Sequence, residues 1–186
     1  MMIPAPDMVL RPGCFYDQRP QQDDISLLVI HNISLPAGVF AAEPLQHAYI
    51  DDLFCGVIDC QADASFASLA GLKVSAHCVI WRNGLIFRYV PFTARAWHAG
   101  LSIFEGRERC NDFSIGIELE GTDDLPYTEQ QYQSLITLTH YLMQLYPAIT
   151  PERIVGHCDI APGRKTDPGT AFDWTRYKNA LKENGL

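Results

Sequence analysis

The sequence contains no apolar stretch long enough to cross a bilayer as a helix, which argues against an integral helical membrane protein. The first 13 residues also lack the basic start of a signal peptide, and Pro4 and Pro6 interrupt what would be its apolar region. We therefore expect a cytoplasmic protein that has no membrane partner.

Basic residues are scarce, because 14 Lys and Arg stand against 22 Asp and Glu, and the formal net charge is -8. Such a surface does not favour nucleic acid as a partner. An anionic substrate would need a local basic patch, for which the chain offers Arg107, Arg109, Arg164 and Lys165. Nothing in the composition indicates an obligate protein partner.

Cysteine pairs with the spacing of a metal site are missing. The six cysteines form no CxxC motif and no zinc-finger pattern, so we expect free thiols. Apolar residues make up 47% of the chain and charged residues 19%, which is ordinary for a globular protein. The length of 186 residues fits one domain with a substantial core. We expect a single domain over residues 1–186, with an irregular N-terminal arm over residues 1–24.

Hydrophobic patterning predicts several strands. The unbroken apolar run at residues 27–30 is typical of a strand buried on both faces. Residues 113–120 alternate with period two, which predicts a strand with Phe113 on its apolar face and Glu118 on its polar face. Asn-Gly at residues 83–84 lies between two strand-like runs and predicts a hairpin over residues 74–90.

Helix signals separate these strands. Thr128 and Gln131 match a capping box at the start of a helix over residues 128–146. Asp173 is the expected cap of a last helix, with Gly185 past its end. Weaker patterns predict helices over residues 43–54 and 65–72, and a long loop over residues 97–112. Strands and helices in this alternation predict an α/β fold.

The loop over residues 156–169 carries a dense set of reactive groups, and its Pro and Gly residues exclude a helix or a central strand. His157 lies near its start, Asp167 lies ten positions on, and His31 follows the first apolar run. Two His and one Asp form a tetrahedral zinc site with one open position. Taken singly, a His at a strand end is more often a structural residue, and an Asp before Pro a turn residue.

Two further residues could serve hydrolysis at such a site. Glu118 is a candidate general base, and Lys165 is a candidate for stabilising an oxyanion. The plain alternative for each is a solvated surface group, and we keep that interpretation for Glu120. His98 lies on a loop and could line a cleft.

Five motifs together carry a resemblance that covers nearly the whole chain, from about residue 10 to the last helix. They are residues 31–34 (HNIS), 74–78 (VSAHC), 95–100 (RAWHAG), 106–121 (GRERCNDFSIGIELEG) and 156–169 (GHCDIAPGRKTDPG). In this order they resemble the cytoplasmic 1,6-anhydro-N-acetylmuramyl-L-alanine amidases, a family within the superfamily of zinc-dependent amidases and peptidoglycan-recognition proteins.

The resemblance implies a mixed central β-sheet flanked by helices, with a zinc cleft at the sheet edge. It implies that His31, His157 and Asp167 bind one Zn²⁺ per chain. Glu118 matches the family's catalytic acid, and Lys165 matches its oxyanion-stabilising lysine. The positions that match the lining of the family's substrate cleft are Asn32, Lys73, Trp97, His98 and Arg109.

The implied substrate is a small molecule, a 1,6-anhydro-N-acetylmuramyl peptide recycled from the cell wall. The bond cut joins the lactyl group of the sugar to L-alanine. Removal of this muropeptide would lower the signal that induces β-lactamase, again by resemblance alone.

Three positions depart from the family pattern. Lys73 stands where arginine is expected. Lysine keeps the positive charge but lacks the planar guanidinium group that can form two hydrogen bonds to one carboxylate. Cys158 replaces a serine after the zinc-binding His157. We do not count this cysteine as a ligand, because neighbours on a strand face opposite ways. Ser65 stands where an aromatic hydroxyl is common, so no catalytic tyrosine is assigned.

Two other functions stay open at this stage. Some members of the superfamily bind peptidoglycan without cutting it, but those usually lack part of the zinc set. An amidase that acts on intact wall outside the cytoplasm is the second, and the missing export signal argues against it.

Overall fold

The computed structural model describes residues 3–183, so Gly185 lies outside the described residues. The helices within that range are α1 (Tyr49–Cys55), α2 (Glu129–Leu145), α3 (His157–Ile160) and α4 (Trp174–Glu183). The strands are β1 (Val9–Leu10), β2 (Tyr16–Gln18), β3 (Leu27–Ile33), β4 (Cys78–Ile80), β5 (Ile86–Arg88), β6 (Ala94–Ala96), β7 (Ile103–Phe104), β8 (Arg107–Glu108), β9 (Ser114–Glu120) and β10 (Ile154–Gly156).

Six strands form the central sheet in the order β1-β5-β4-β9-β3-β10. All neighbours are parallel except the antiparallel pair β4 and β5, so the predicted mixed sheet is confirmed. His31 of β3 pairs with Glu118 of β9, and Gly156 of β10 pairs with Ile30. The register therefore sets His31 and Glu118 side by side, with His157 one position past the end of β10.

The two faces of the sheet are covered by different elements. Leu28 and Ile30 of β3 belong to the same core cluster as Leu135 and Leu142 of α2 and Tyr177 of α4. Side chains alternate along a strand, so Leu27, Val29 and His31 point to the opposite face. The predicted metal ligand His31 and the predicted catalytic residue Glu118 thus lie on the face of the sheet away from α2 and α4.

Both long helices begin as the sequence predicts. The Thr128 hydroxyl accepts from the Gln131 backbone N–H, and the Gln131 side chain accepts from the Thr128 N–H, which completes the capping box. Asp173 accepts the N–H of Arg176 at 2.9 Å, as a helix cap does. Gln131 also donates to the backbone oxygens of Ile80 and Glu120, which ties α2 to the sheet.

The arm over residues 1–24 is not irregular throughout, so that expectation is wrong. In it, β1 joins the central sheet beside β5, and β2 pairs with β6. Arg19 is 3% exposed and donates to the backbone oxygens of Ser114 and Phe92 at 2.8 and 3.2 Å. The pairing partners of the arm lie more than 70 positions away, which local patterning does not reveal.

Glu120 is buried rather than solvated, so the interpretation kept for it is wrong. Its side chain accepts the backbone N–H of Ala41 at 2.7 Å and of Arg82 at 3.1 Å. At Glu120 this face of β9 is covered by the loop that carries Ala41 and by the β4–β5 hairpin at Arg82. Phe113 lies just before β9 and packs with Leu27 on that same face, not with the apolar residues of the strand.

Three weaker predictions also need correction. The helix expected over residues 43–54 is confined to α1, and the one over residues 65–72 is a 3₁₀ helix at Ala64–Leu69. The strand expected from residue 74 begins only at β4. The long loop over residues 97–112 contains the β7–β8 pair, which is followed by a 3₁₀ turn.

Candidate active site

Three side chains converge at the carboxyl ends of the central strands. The Nδ1 atoms of His31 and His157 are 3.0 Å apart, and Asp167 Oδ2 lies 2.9 Å from the first and 3.0 Å from the second. His31 and His157 are almost fully buried, and the Asp167 side chain is 14% exposed. The structure therefore brings together the three residues that the sequence predicts as a metal site.

Asp167 reaches this point because its loop folds back on His157. His157 was predicted to lie on a loop, but it is the first residue of α3, directly after β10. The backbone N–H of Cys158 donates to the backbone oxygen of Asp167 at 3.0 Å. The next residue, Pro168, lies so close to Gly156 that a Cβ there would meet its ring at 2.9 Å. Glycine at position 156 thus lets the loop pack against the end of β10.

The hydrogen bonds behind the two histidines fix which nitrogen faces the centre. His157 Nε2 lies 3.1 Å from the backbone oxygen of Ala99, which can only accept, so Nε2 is the donor in this bond. In the neutral tautomer with this proton, Nδ1 has a lone pair. Burial lowers the pKa of His31 to about 4, so this imidazole is neutral near pH 7. Burial raises the pKa of Asp167, but the contacts with His157 and His31 outweigh this effect and lower the pKa well below its usual value. The carboxyl group is therefore ionised near pH 7.

This donor set fits a divalent cation. When Nε2 of each histidine carries the proton, two imidazole lone pairs and a carboxylate oxygen face one another with no hydrogen between them. A cation at their centre removes that repulsion. Two nitrogens and one oxygen are the ligands of many zinc sites, and bonds of about 2.0–2.2 Å from atoms so spaced can meet at one point.

Glu118 lines the same cleft beside this cluster. Its Oε2 is buried without a hydrogen-bond partner among the described residues. Burial, followed by the nearby Asp167 charge, raises the pKa of Glu118 well above 4.5, and Lys165 opposes the shift. A carboxyl group with a raised pKa in a cleft is a typical general acid or base.

The cleft has a volume of about 640 Å³ and combines polar and apolar walls. Lys165 is exposed on one rim and belongs to no ion pair among the described residues. The cleft also has apolar lining residues that were not predicted from the sequence: Leu53, Phe54, Leu69, Leu72 and Val74. No sequence signal singled out these residues, because α1 is short and its pattern weak.

The five predicted substrate-binding residues are spread over and around the cleft. Asn32 and His98 line it, and Lys73 is exposed between two lining residues. Trp97 stacks on Phe15, with ring centroids 6.2 Å apart. Arg109 lies on a neighbouring depression of about 440 Å³.

Asp123 is a cleft residue that sequence reasoning missed. Its Oδ1 accepts from the Asn32 side-chain amide at 2.8 Å, which orients that amide. Since the donor Nδ2 faces Asp123, the Asn32 oxygen stays available to accept a hydrogen bond.

No helix among residues 3–183 is both long and apolar enough to cross a membrane. A family model described as N-acetylmuramoyl-L-alanine amidase matches residues 21–170 of the chain. The chain is 58% identical over 167 residues to the 1,6-anhydro-N-acetylmuramyl-L-alanine amidase AmpD of Escherichia coli, which is 90% of this chain and 88% of that protein.

Solved structures agree with this match. A crystal structure of an AmpD selenomethionine derivative superposes with a TM-score of 0.89 at 53% identity, covering 97% of this chain and 99% of that one. The E. coli amidase AmiD, in complex with the substrate anhydro-N-acetylmuramic acid-L-Ala-D-gamma-Glu-L-Lys, gives a TM-score of 0.60 at 34% identity over 84% of this chain and 57% of that one. The chain therefore belongs to the N-acetylmuramoyl-L-alanine amidase family.

Proposed function

We propose that this amidase hydrolyses the bond between the lactyl group of 1,6-anhydro-N-acetylmuramic acid and L-alanine in recycled muropeptides, using one zinc ion per chain. The observation that carries the proposal is the convergence of His31, His157 and Asp167 in the cleft that also holds Glu118. The high identity to AmpD, which is named for this substrate, supports the choice of substrate. Loss of the muropeptide would lower β-lactamase induction.

The side chains of the three ligand residues would hold the ion. Their hydrogen bonds to the surrounding protein set the orientation of these side chains. When bound, Zn²⁺ supplies Lewis-acid chemistry, which acidifies water and polarises a carbonyl group. The Ala99 backbone oxygen keeps the proton of His157 on Nε2 and so keeps Nδ1 free for the ion.

Glu118 moves the proton in the proposed reaction. Its carboxylate takes a proton from the attacking water as the water oxygen bonds to the lactyl carbonyl carbon. It then gives that proton to the nitrogen of L-alanine as the carbon–nitrogen bond breaks. The carboxylic acid so formed passes the second proton of the water to the released amine, so the products are a lactyl carboxylate and a peptide with a protonated amino terminus. The raised pKa of Glu118 suits a group that must both accept and return a proton.

Lys165 is proposed to stabilise the negative charge that develops on the carbonyl oxygen. Its ammonium is near enough to lower the pKa of Glu118, so its charge acts inside the cleft. Replacing Lys165 with alanine is expected to lower kcat by about 10²–10³-fold, because the oxyanion loses a preorganised partner. Steady-state kinetics measure this loss.

The exposed Lys182 on α4 provides the matched control, and Lys182→Ala is expected to leave kcat and KM unchanged. If Lys165→Ala raises only KM, Lys165 binds substrate rather than the transition state.

The substrate assignment is tested by offering anhydro-muropeptide and whole sacculi side by side, with and without a chelator. We expect release of the peptide from the muropeptide, and its complete loss on chelation, which added Zn²⁺ reverses. Cleavage of sacculi alone would instead favour an enzyme of the intact wall. The cytoplasmic location stays a prediction that cell fractionation tests.

A further inference from the structure

His98 was expected from the resemblance to contact substrate, but both of its ring nitrogens contact the protein. Nδ1 lies 2.9 Å from Nε2 of His31, and Nε2 lies 3.1 Å from the Ser114 hydroxyl. We infer that His98 is a positioning residue that fixes the tautomer and ring orientation of the metal ligand His31. This inference rests on the zinc site of the proposed function.

The direction of each hydrogen bond follows from the site. If Nδ1 of His31 binds the ion, its proton is on Nε2 and is donated to His98 Nδ1. His98 Nδ1 then carries a lone pair, and its own proton on Nε2 is donated to the Ser114 oxygen. One neutral tautomer of each ring satisfies the whole chain of bonds from the ion to Ser114.

The sheet is shaped to hold the His98 ring in this place. A Cβ at Gly116 would meet the ring at 2.4 Å, so only glycine at this position of β9 lets the ring lie against the strand. Ser114 is two positions earlier on the same face of β9, and its backbone oxygen is held by Arg19 at 2.8 Å. The ring therefore sits between His31 and a fixed strand.

The backbone that carries His98 is fixed as well. The Asn111 side-chain oxygen accepts the backbone N–H of His98 at 3.1 Å and that of Ala99 at 2.8 Å. Ala99 is the residue whose backbone oxygen accepts from His157. The anchored dipeptide His98-Ala99 thus orients both proposed histidine ligands. The His98 side chain contacts His31, and the Ala99 backbone oxygen accepts from His157.

The test measures zinc affinity by competition with a chromophoric chelator. His98→Ala is expected to weaken zinc binding by about 10–100-fold, the usual effect of losing an outer partner of a metal ligand. His98→Asn is expected to recover most of that affinity, because its side-chain oxygen can take the place of Nδ1 as acceptor. His47→Ala removes an exposed histidine outside this cluster and is expected to change nothing.

Each outcome decides the inference. Unchanged zinc affinity in folded His98→Ala, with a higher KM, would make His98 a substrate-binding residue and overturn it. Failure of His98→Asn to bind zinc better than His98→Ala would also overturn it. If His98→Ala does not fold, Ser114→Ala serves instead: weaker zinc binding supports the inference, and wild-type affinity overturns it. A wild-type protein that binds no zinc would refute the proposed function itself.

Discussion

Replacing Glu118 with glutamine is expected to lower kcat by about 10²–10⁴-fold, the usual contribution of a positioned general base. Glutamine keeps the size of the side chain but cannot accept a proton from water. Zinc content is expected to stay at one ion per chain, because Glu118 is not among the three converging ligands. Kinetics with anhydro-muropeptide at saturating zinc, together with metal analysis, measure both quantities.

Glu120 gives a matched control on the same strand. Its carboxylate accepts backbone N–H groups of the loop at Ala41 and the hairpin at Arg82, which is a structural task. Glu120→Gln is therefore expected to lower the free energy of unfolding while kcat stays near the wild-type value. Wild-type turnover in zinc-loaded Glu118→Gln would remove Glu118 from the chemistry.

Asp167→Ala is expected to abolish tight zinc binding and hydrolysis together. The carboxylate is the only negatively charged ligand of the proposed site, and without it only the two imidazole rings remain. Zinc at 100 times its dissociation constant should stabilise the wild-type protein by about 2.7 kcal/mol, which raises Tm by about 5–10 °C. The variant should show no such rise in calorimetry with and without zinc.

Asp159 lies in the same segment and provides the control for loss of a negative charge. It accepts the backbone N–H of Gly156 at 2.7 Å, and Asp159→Asn keeps an oxygen for that bond. This variant is expected to keep both zinc affinity and the Tm rise. Stoichiometric zinc in Asp167→Ala would contradict the ligand assignment.

Much of the site could be predicted because its residues lie at the ends of strongly patterned strands. The apolar run of β3 predicts where His31 lies, and the alternation of β9 predicts the face that Glu118 occupies. Because β3, β9 and β10 are parallel neighbours, residues at their carboxyl ends meet at one edge of the sheet. The family resemblance then supplied the roles, and the fold class and the amidase family are both confirmed.

The rest depends on contacts between distant parts of the chain. Glu120 alternates like a surface residue, and only the packing of the loop at Ala41 over β9 makes it buried. Position 9 gives no local sign that it pairs with position 87. His98 looks like a loop residue that is free to meet substrate, until Gly116 and Ser114 are placed beneath its ring.

The spacing of the proposed ligands along the chain has a consequence for how the enzyme is made. His31 is separated from His157 by 126 positions and from Asp167 by 136. The ribosome delivers the N-terminal part first, and β10, which brings His157 beside β3, is the last strand of the central sheet to be synthesised. A chain that stops before residue 157 therefore holds only His31 of the three and could not form the proposed site. Under the proposed function, metal binding and hydrolysis would therefore begin only after both β10 and the loop to Asp167 have been synthesised and packed beside β3.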